Sequence, residues 1–448
     1  MALTGIQIFK LLPKTNCGEC GVPTCLAFAM NLAAGKAELD TCPYVSDEAR
    51  EQLAEASAPP IRPVAFGSGD TAVKSGGETV LFRHEKTFFN PCPFAAILSD
   101  TDDGVADKAK AWNAFQWERV GLNLRPELVF LKCDSGDAAK FEAAAKAVTE
   151  NSDFSLILAC EDPEVLGPVA KALADKKPLL YAATNANADK MAALAGDTKC
   201  PLVVKGVDLE EVQELTQELT DAGLKDLVMD SGARDLAGAF QDNVAARRGA
   251  LMDQNRALGF PTICFASEMG GTLAEQIVAA SMLVAKYAGI VVLEDYTAES
   301  IFPLLLERLN IYTDPQRPMV VTEGIYEIGG PKAESPVAVT TNFSLTYFIV
   351  SGEIESSRVP SWLLIKDTEG LSVMTAWAAG KFSGDDVGMF VKKIGIEEKI
   401  DHKALIIPGY AAAIAGDVEE ELPGWNIQIG PREAAHLPKF LKEWAPDK

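Results

Sequence analysis

Histidine is scarce: the 448 residues hold three, His84, His402 and His436. So few imidazoles leave little scope for histidine-based metal binding or proton transfer near neutral pH. Positive charge is also short, with 41 Lys and Arg against 64 Asp and Glu and a formal charge of −23. Nucleic-acid binding draws on clustered cations and released counterions, so this balance speaks against it and describes a solvated acidic surface. Long apolar runs are missing as well. Even 277–292 is broken by Lys286 and Gly289, short of the eighteen or more apolar residues of a spanning helix. A soluble, cytoplasmic protein without membrane contact is the expectation. Neither G-x-x-x-x-G-K-[ST] nor G-x-G-x-x-G occurs, so the phosphate cradles of nucleoside triphosphate and dinucleotide sites are not indicated.

What the chain does have is a concentration of thiols. Cys17, Cys20, Cys25 and Cys42 follow the spacing C-x2-C-x4-C-x16-C. Three crowd one Gly-rich loop and the fourth returns after a helix, which suits a cuboidal 4Fe-4S centre with a thiolate at each corner. A structural zinc site is the alternative, although zinc favours two compact pairs on separate knuckles. A disulfide framework fits poorly, because nine cysteines is an odd number in a long chain with no signal-peptide pattern. Pro23 and Thr24 open a helix that Gly35 closes, placing Cys25 in the first turn, where the positive end of the helix dipole faces anionic sulfur. Leu26, Phe28 and Met30 read as core packing. The other cysteines, Cys92, Cys133, Cys160, Cys200 and Cys264, lack ligand spacing, and most read as buried core thiols.

In chain order, residues 1–57 form the thiol-rich domain, with short helices expected at 4–12 and 47–56. So little apolar material implies that the metal supplies much of its stability. The Pro-rich stretch 58–63 reads as a stiff, extended tether within a linker and entry segment, 58–92, that includes an entry strand or plugging hairpin at 80–82. Within 93–314, short apolar runs at 94–98, 128–132, 155–159, 178–182, 202–205, 226–229, 261–265 and 290–293 alternate with helical patterns. Those helical patterns include 106–117, 138–149, 209–222, 233–258 and 273–287. Eight strands alternating with helices define an α/β fold with a TIM (β/α)8 barrel; an open doubly wound sheet is the alternative. Acidic and amide residues follow these strands, among them Asp100, Asp134, Glu161, Asp162, Asn185, Asp208, Asp230, Ser231, Glu268, Glu294 and Asp295. With no His or Lys base among them they read as helix caps, and no catalytic residue is assigned.

A second boundary falls at 314–318. In 325–448, strands 337–340, 362–366, 404–407 and 425–429 each run into a loop of small residues, TTNFSLTYF, DTEGLSVMTAW, PGYAAAI and GPREAAHL. In a parallel Rossmann-like sheet these loops gather at the carboxyl edge, ahead of helix N-termini, where ligands bind. A flat, wide cofactor touched by backbone amides and small hydroxyls suits them best.

These cysteines, the barrel-like middle and the loops T-T-N-F-S-L-T, E-G-L-S-V, P-G-Y and G-P-R-E-A-A together carry a resemblance over the whole chain. The sequence resembles the large (gamma) subunits of the corrinoid iron-sulfur proteins of anaerobic acetyl-CoA synthesis, part of the acetyl-CoA decarbonylase/synthase complex. The resemblance implies a methyl carrier. In that family cobalt(I) of a corrinoid takes a methyl group from methyltetrahydrofolate through a separate methyltransferase and passes it to acetyl-CoA synthase. The 4Fe-4S cluster, on Cys17, Cys20, Cys25 and Cys42, repairs oxidation to cobalt(II).

The resemblance also implies a smaller partner subunit in a heterodimer, a CO dehydrogenase/acetyl-CoA synthase partner and an electron donor such as ferredoxin. Corrinoid contacts carry over to Thr340, Thr341, Thr346, Gly370, Leu371, Ser372 and Val373, with Gly409, Tyr410, Gly430, Pro431 and Ala434 completing the pocket. A D-x-H-x-x-G loop, whose His ligates cobalt in many corrinoid proteins, is absent: Asp401-His402-Lys403 has the wrong spacing, and His436 lies in the last helix. A base-off cobalamin without a protein imidazole is therefore expected. Two other readings remain open: the barrel as a pterin methyltransferase, and an iron-sulfur electron-transfer subunit without corrinoid.

Overall fold

The computed structural model describes residues 5–33, 37, 39–46, 49–50, 53, 58–119, 122–314, 316 and 319–447. The chain divides into two compact units, Met1–Gln116 with Arg125–Tyr312, and Trp117–Leu124 with Thr313–Lys448.

The first unit begins with two short helices, Gly5–Leu11 and Cys25–Ala33. Asn16 opens the second by accepting the Cys25 amide at 2.8 Å through its side chain, and the Thr24 hydroxyl accepts the Ala27 amide at 3.1 Å. Phe28 is buried in this segment's core, but Leu26 (46% exposed) and Met30 (56%) are not, contrary to the core role expected of them. Exposed and buried positions alternate with the helical period, and the face carrying Cys25, Phe28 and Ala29 is the buried one, while the Met30 side chain packs against Gly5 of the first helix. Most of the helix expected at 47–56 lies outside the described residues.

The stretch 58–63 is not a free tether. Ile61 and Arg62 are buried, and their amides donate to Glu78 (3.3 Å) and Gly259 (2.9 Å), while Arg256 reaches the carbonyls of Ala58 and Pro59. The hairpin that enters the barrel is β1 (Val64–Phe66) paired with β2 (Val73–Ser75), not 80–82, where there is no strand. Val64, Phe66 and Val73 alternate inward and join the barrel's interior cluster, so the hairpin plugs one end of the barrel.

Eight parallel strands form the barrel: β3 (Phe94–Ser99), β6 (Leu128–Lys132), β7 (Ser155–Ala159), β8 (Leu179–Ala183), β9 (Leu202–Lys205), β10 (Leu227–Asp230), β11 (Ile263–Phe265) and β12 (Ile290–Leu293). Their spatial order is β10-β9-β8-β7-β6-β3-β12-β11, and a parallel bridge between Met229 and Thr262 joins the two outer strands. The barrel thus closes at that single bridge. The helix expected at 106–117 ends at Asn113, because the chain turns into a hairpin, β4 (Trp117–Arg119) and β5 (Leu122–Leu124), which groups with the C-terminal unit.

Of the residues expected to cap helices after the barrel strands, Asp162 and Asp208 do so, accepting the Glu164 and Glu211 amides. Others are used differently: Glu161 pairs with Lys205, Asp230 with Arg234, and Glu294 and Asp295 accept from the side chains of Gln276 and Trp112. Asp235, not among those expected, caps the helix Leu236–Leu251 through the Gly238 amide.

The second unit is an open sheet in the order β13-β15-β14-β16-β17. Its strands are β13 (Gly324–Ile328), β14 (Val337–Thr341), β15 (Ser361–Lys366), β16 (Ala404–Ile407) and β17 (Asn426–Ile429), with only β13 antiparallel. The antiparallel edge strand β13 was not anticipated. Val337 and Val339 face one apolar cluster, with Phe382, Val387 and Val391, while Ala338 faces a second with Ile354 and Leu441, so helices cover both faces.

Arg247, on helix Leu236–Leu251, is 4% exposed and pairs with Glu78 (8% exposed) at 3.3 Å; it also donates to the Val80 carbonyl at 2.6 Å. The Phe88 and Tyr287 rings lie 5.1 and 4.8 Å from its guanidinium. This pair ties the 78–88 strap to the barrel. Replacing Arg247 by Met would strand a buried carboxylate, and a loss of about 3–5 kcal/mol is expected. The expected readout is a lower urea midpoint for the barrel's unfolding transition, with much of the loss recovered when Glu78→Gln is added.

Candidate functional site

The thiol-rich segment is organised round a core of Ile8, Leu12, Cys25, Phe28, Ala29, Cys42, Val45, Ala49 and Leu53. Two of the four thiols are thus core side chains, Cys20 packs against the same cluster, and Cys17 is exposed. The Asn16 amide points at the Cys25 sulfur at 3.4 Å, the kind of N–H donor that stabilises a thiolate. The Tyr44 phenol donates to Glu19 at 2.8 Å; that bond and the Glu19 charge, with smaller effects from Cys17 and Cys42, raise its pKa. Tyr44 therefore lies within electrostatic reach of the first and last cysteines of the set. Among the described residues no three His, Cys, Asp or Glu side chains are gathered closely enough to hold an ion in this arrangement. The donors themselves, four thiols on one small scaffold with an amide aimed at sulfur, fit an iron-sulfur centre better than a hard cation.

Of the remaining cysteines, Cys92, Cys200 and Cys264 are buried. Cys133 and Cys160 are half-buried beyond the paired ends of β6 and β7, and burial pushes the Cys133 thiol up to about 12.

The barrel's interior beneath its carboxyl end is filled. Phe130, Tyr181 and Phe265 pack edge to face with centroids 5.1 to 5.7 Å apart. Above them Arg234 grips the buried Asp230 with two bonds of 2.9 and 2.8 Å and lies 4.4 Å from the Phe265 ring centroid. The Tyr181 hydroxyl donates to Asp230 at 2.8 Å, and burial, then the Asp230 charge, holds this phenol far above its ordinary range. These polar groups satisfy one another.

The open space lies in the C-terminal sheet. There β14 pairs with β15 along five residues but with β16 only through Ala338 and Ile406. The chain leaves β14 toward β15 and later returns on the other side through β16, so this gap is the topological switch point of the sheet. A cleft of about 410 Å3 occupies it, walled by Val339 and Thr340 of β14, Ile406 and Ile407 of β16, and the 430–437 loop.

Of the expected site residues, Thr340, Thr346, Val373, Tyr410, Gly430, Pro431 and Ala434 line this cleft. Thr341, Gly370, Leu371, Ser372 and Gly409 do not. Thr341 is fully buried, and its hydroxyl has no hydrogen-bond partner. Gly370 has φ +75°, a conformation that suits glycine, and its loop leads into the helix Val373–Ala378; Leu371 packs onto the core. Gly409 is a point of contact between loops: a Cβ there would collide with the Gly430 carbonyl and stand 2.7 Å from the Arg432 nitrogen.

Residues missed from the sequence include Ile349, Val350 and Glu353, which form a wall on the helix Ser344–Ser357. Their spacing at i, i+1 and i+4 was the available signal, hidden because this helix shows no clear apolar face. Arg432 and Glu433 also line the cleft, and Glu433 accepts the Tyr410 hydroxyl at 2.7 Å.

No imidazole is among the cleft's lining residues. His402 is held at both ring nitrogens, by the Ser335 carbonyl at 2.9 Å and the Ala404 amide at 3.2 Å. His436 is exposed and precedes the last helix, Leu437–Lys442, rather than lying within it.

A thiol-rich module, a filled barrel and a small, mostly parallel sheet with a wide cleft at its switch point define a modular α/β protein. Residues 63–441 match the family model for the CO dehydrogenase/acetyl-CoA synthase delta subunit, and residues 12–44 match one described as "Putative Fe-S cluster". The chain is 46% identical over 444 residues to the corrinoid/iron-sulfur protein large subunit of Moorella thermoacetica, covering 99% of both chains. It is 37% identical over 454 residues to the acetyl-CoA decarbonylase/synthase complex subunit gamma of Methanopyrus kandleri, covering 98% of both. The corresponding subunit of Methanothermobacter thermautotrophicus is 35% identical over 458 residues, 99% of this chain and 100% of that one. The chain belongs to this family of corrinoid/iron-sulfur protein large subunits and acetyl-CoA decarbonylase/synthase gamma subunits.

The loop contact at Gly409 can be tested directly. Gly409→Ala forces the 409 and 430 loops apart, and a loss of about 1–3 kcal/mol is expected, read as a lower thermal midpoint. Gly416→Ala, in a helix with open space at its Cβ position, is the control expected to leave the midpoint unchanged or slightly raised.

Proposed function

We propose that this chain is the methyl-carrying subunit of an acetyl-CoA-synthesising system, holding a corrinoid in the C-terminal cleft and a 4Fe-4S cluster on Cys17, Cys20, Cys25 and Cys42. The observation that carries the reading is the switch-point cleft, in a chain alike over 99% of its length to a corrinoid/iron-sulfur protein large subunit. Bound corrinoid supplies a nucleophilic metal that accepts and hands on a methyl group, and the cluster supplies single electrons that restore its reduced state.

The chain's own residues bind and orient. Thr340 and Thr346 present hydroxyls at the cleft wall, while Gly430, Pro431 and Ala434 keep that wall low enough for a wide ring. Ile349, Ile406 and Ile407 offer apolar surface that excludes water from one side of the ligand. Neither ring nitrogen of His402 is free and His436 is not a lining residue, so no imidazole of this chain is placed to hold a corrinoid's metal, and base-off binding is the state proposed. The chain acts as a carrier, and no residue of it is assigned a catalytic role.

Its partners in this reading are a smaller corrinoid iron-sulfur protein subunit, a methyltetrahydrofolate methyltransferase, acetyl-CoA synthase/CO dehydrogenase and an electron donor such as ferredoxin. Among the described residues no helix is long and apolar enough to cross a membrane, and the setting proposed is the cytoplasm. A pterin methyltransferase would place its site at the barrel's mouth, where the buried Asp230 is already bonded by Arg234 and Tyr181, so the reading placed on the C-terminal cleft is preferred.

Anaerobically purified protein is expected to show corrinoid absorption bands over the broad iron-sulfur absorption, with about four irons per chain. Cys42→Ala is expected to lose iron while still taking up corrinoid, and Gly370→Trp to keep its iron while losing corrinoid. Absence of corrinoid bands after reconstitution with cobalamin would refute the carrier reading.

A further inference from the structure

We infer that Asn342 is a positioning residue for the corrinoid, one that sets the 367–373 loop in its receiving shape before the ligand arrives; this rests on the corrinoid reading of the cleft. Asn342 directly follows β14, the strand at the switch point, and is 3% exposed. Its backbone is fixed on both sides, the amide donating to Lys366 and the carbonyl accepting from Val321, each at 2.9 Å.

The side chain spends every bond on one neighbouring loop. Oδ1 accepts the Thr368 and Gly370 amides, each at 3.0 Å, and lies 3.1 Å from the Thr368 hydroxyl, which shares its proton with the Leu371 carbonyl at 3.0 Å. Nδ2 donates to Asp367 at 2.8 Å, and the same Asp367 oxygen accepts the Glu369 amide at 2.9 Å. One buried amide thus satisfies both ends of a five-residue turn.

That turn would not hold this shape unaided. Glu369 and Gly370 stand at φ +56° and +75°, and two successive left-handed residues, one of them carrying a Cβ, are an unfavourable conformation for a free loop. The clamp fixes where the loop delivers Leu371, Ser372 and then Val373, which lines the cleft opposite the loops after β16 and β17. Val339 and Thr340, three and two residues ahead of Asn342, line the same cleft. Wall and clamp therefore sit on one strand, and ordering the loop beforehand removes an entropic cost from ligand binding.

Charged groups around the clamp bear on its test. Asp367 accepts from Asn342, its amide donates to Glu323 at 2.9 Å, and Lys366 lies 3.4 Å from its carbonyl oxygen. Glu369 pairs with Lys381, and Lys393 stands 3.9 Å from Glu323.

The test measures cobalamin affinity of the full chain, with its iron content checked, for wild type, Asn342→Ala and Asn342→Asp at pH 8 and pH 5.5. Asn342→Ala is expected to bind at least roughly 10-fold more weakly at both pH values. Asn342→Asp keeps the acceptor but sets a second carboxylate against Asp367. It is expected to bind weakly at pH 8 and to recover relative to wild type at pH 5.5, as a shared proton restores the donor. A residue that merely supports the fold would lower the thermal midpoint without this pH-dependent rescue. Wild-type affinity in Asn342→Ala, or no recovery in Asn342→Asp, overturns the inference. A wild-type chain that takes up no cobalamin at either pH overturns instead the reading on which it rests.

Discussion

A parallel strand can return to its sheet only through a crossover, and that constraint puts every strand-to-helix loop of a parallel sheet on one edge. The structure depends on it twice. In the barrel the loops after β3 to β12 ring one mouth, and in the C-terminal sheet the loops after β14, β15, β16 and β17 share one edge. The two edges have opposite fates. Bulky side chains fill the barrel beneath its mouth, with Phe130, Tyr181 and Phe265 meeting under the Arg234–Asp230 pair. In the open sheet β14 and β16 separate after one registered pair, and a cleft opens between them.

The acidic residues at the barrel's loops are engaged in structural bonds. Asp162, Asp208 and Asp235 accept helix amides, Asp230 is neutralised by Arg234, and Glu161 pairs with Lys205 at 2.6 Å. Acids that are caps or ion-pair partners have their lone pairs engaged already. The net charge of −23 is spread over the chain as solvated surface, while the cleft of the C-terminal sheet mixes apolar walls with Glu353, Arg432 and Glu433.

Much of this was legible in the sequence because strand period and loop composition are local properties. All eight barrel strands and the four parallel strands of the last sheet fell within a residue or two of their expected places, and seven of the twelve expected ligand-contact residues line one cleft. What could not be read was tertiary. The plug at 64–75 was obscured because its strands are three residues long, below the length at which alternation is distinctive. The Pro-rich stretch 58–63 looked like a tether, yet it is fastened by amides and by Arg256, partners almost 200 residues away. The helix Ser344–Ser357 hid its cleft wall, because the exposed apolar residues Leu345 and Ile349 blur its periodicity. Thr341 and Gly409 were placed at the right edge, but how deeply a residue is buried, and how closely two loops approach, are not set by composition.

The thiol-rich segment shows how ligand and fold depend on each other. Among the described residues its core holds nine buried side chains, and two of them, Cys25 and Cys42, are proposed metal ligands. A structure that buries its own ligands cannot separate packing from coordination: the helix that carries Cys25 is capped by Asn16, whose amide points at that same sulfur. Loss of the metal would therefore expose thiolate-ready side chains inside a core too small to compensate, and apo protein should unfold locally there. The fastened 58–63 stretch keeps that unfolding from spreading, because its amides bond to Glu78 and Gly259 of the barrel rather than to anything in the thiol-rich segment.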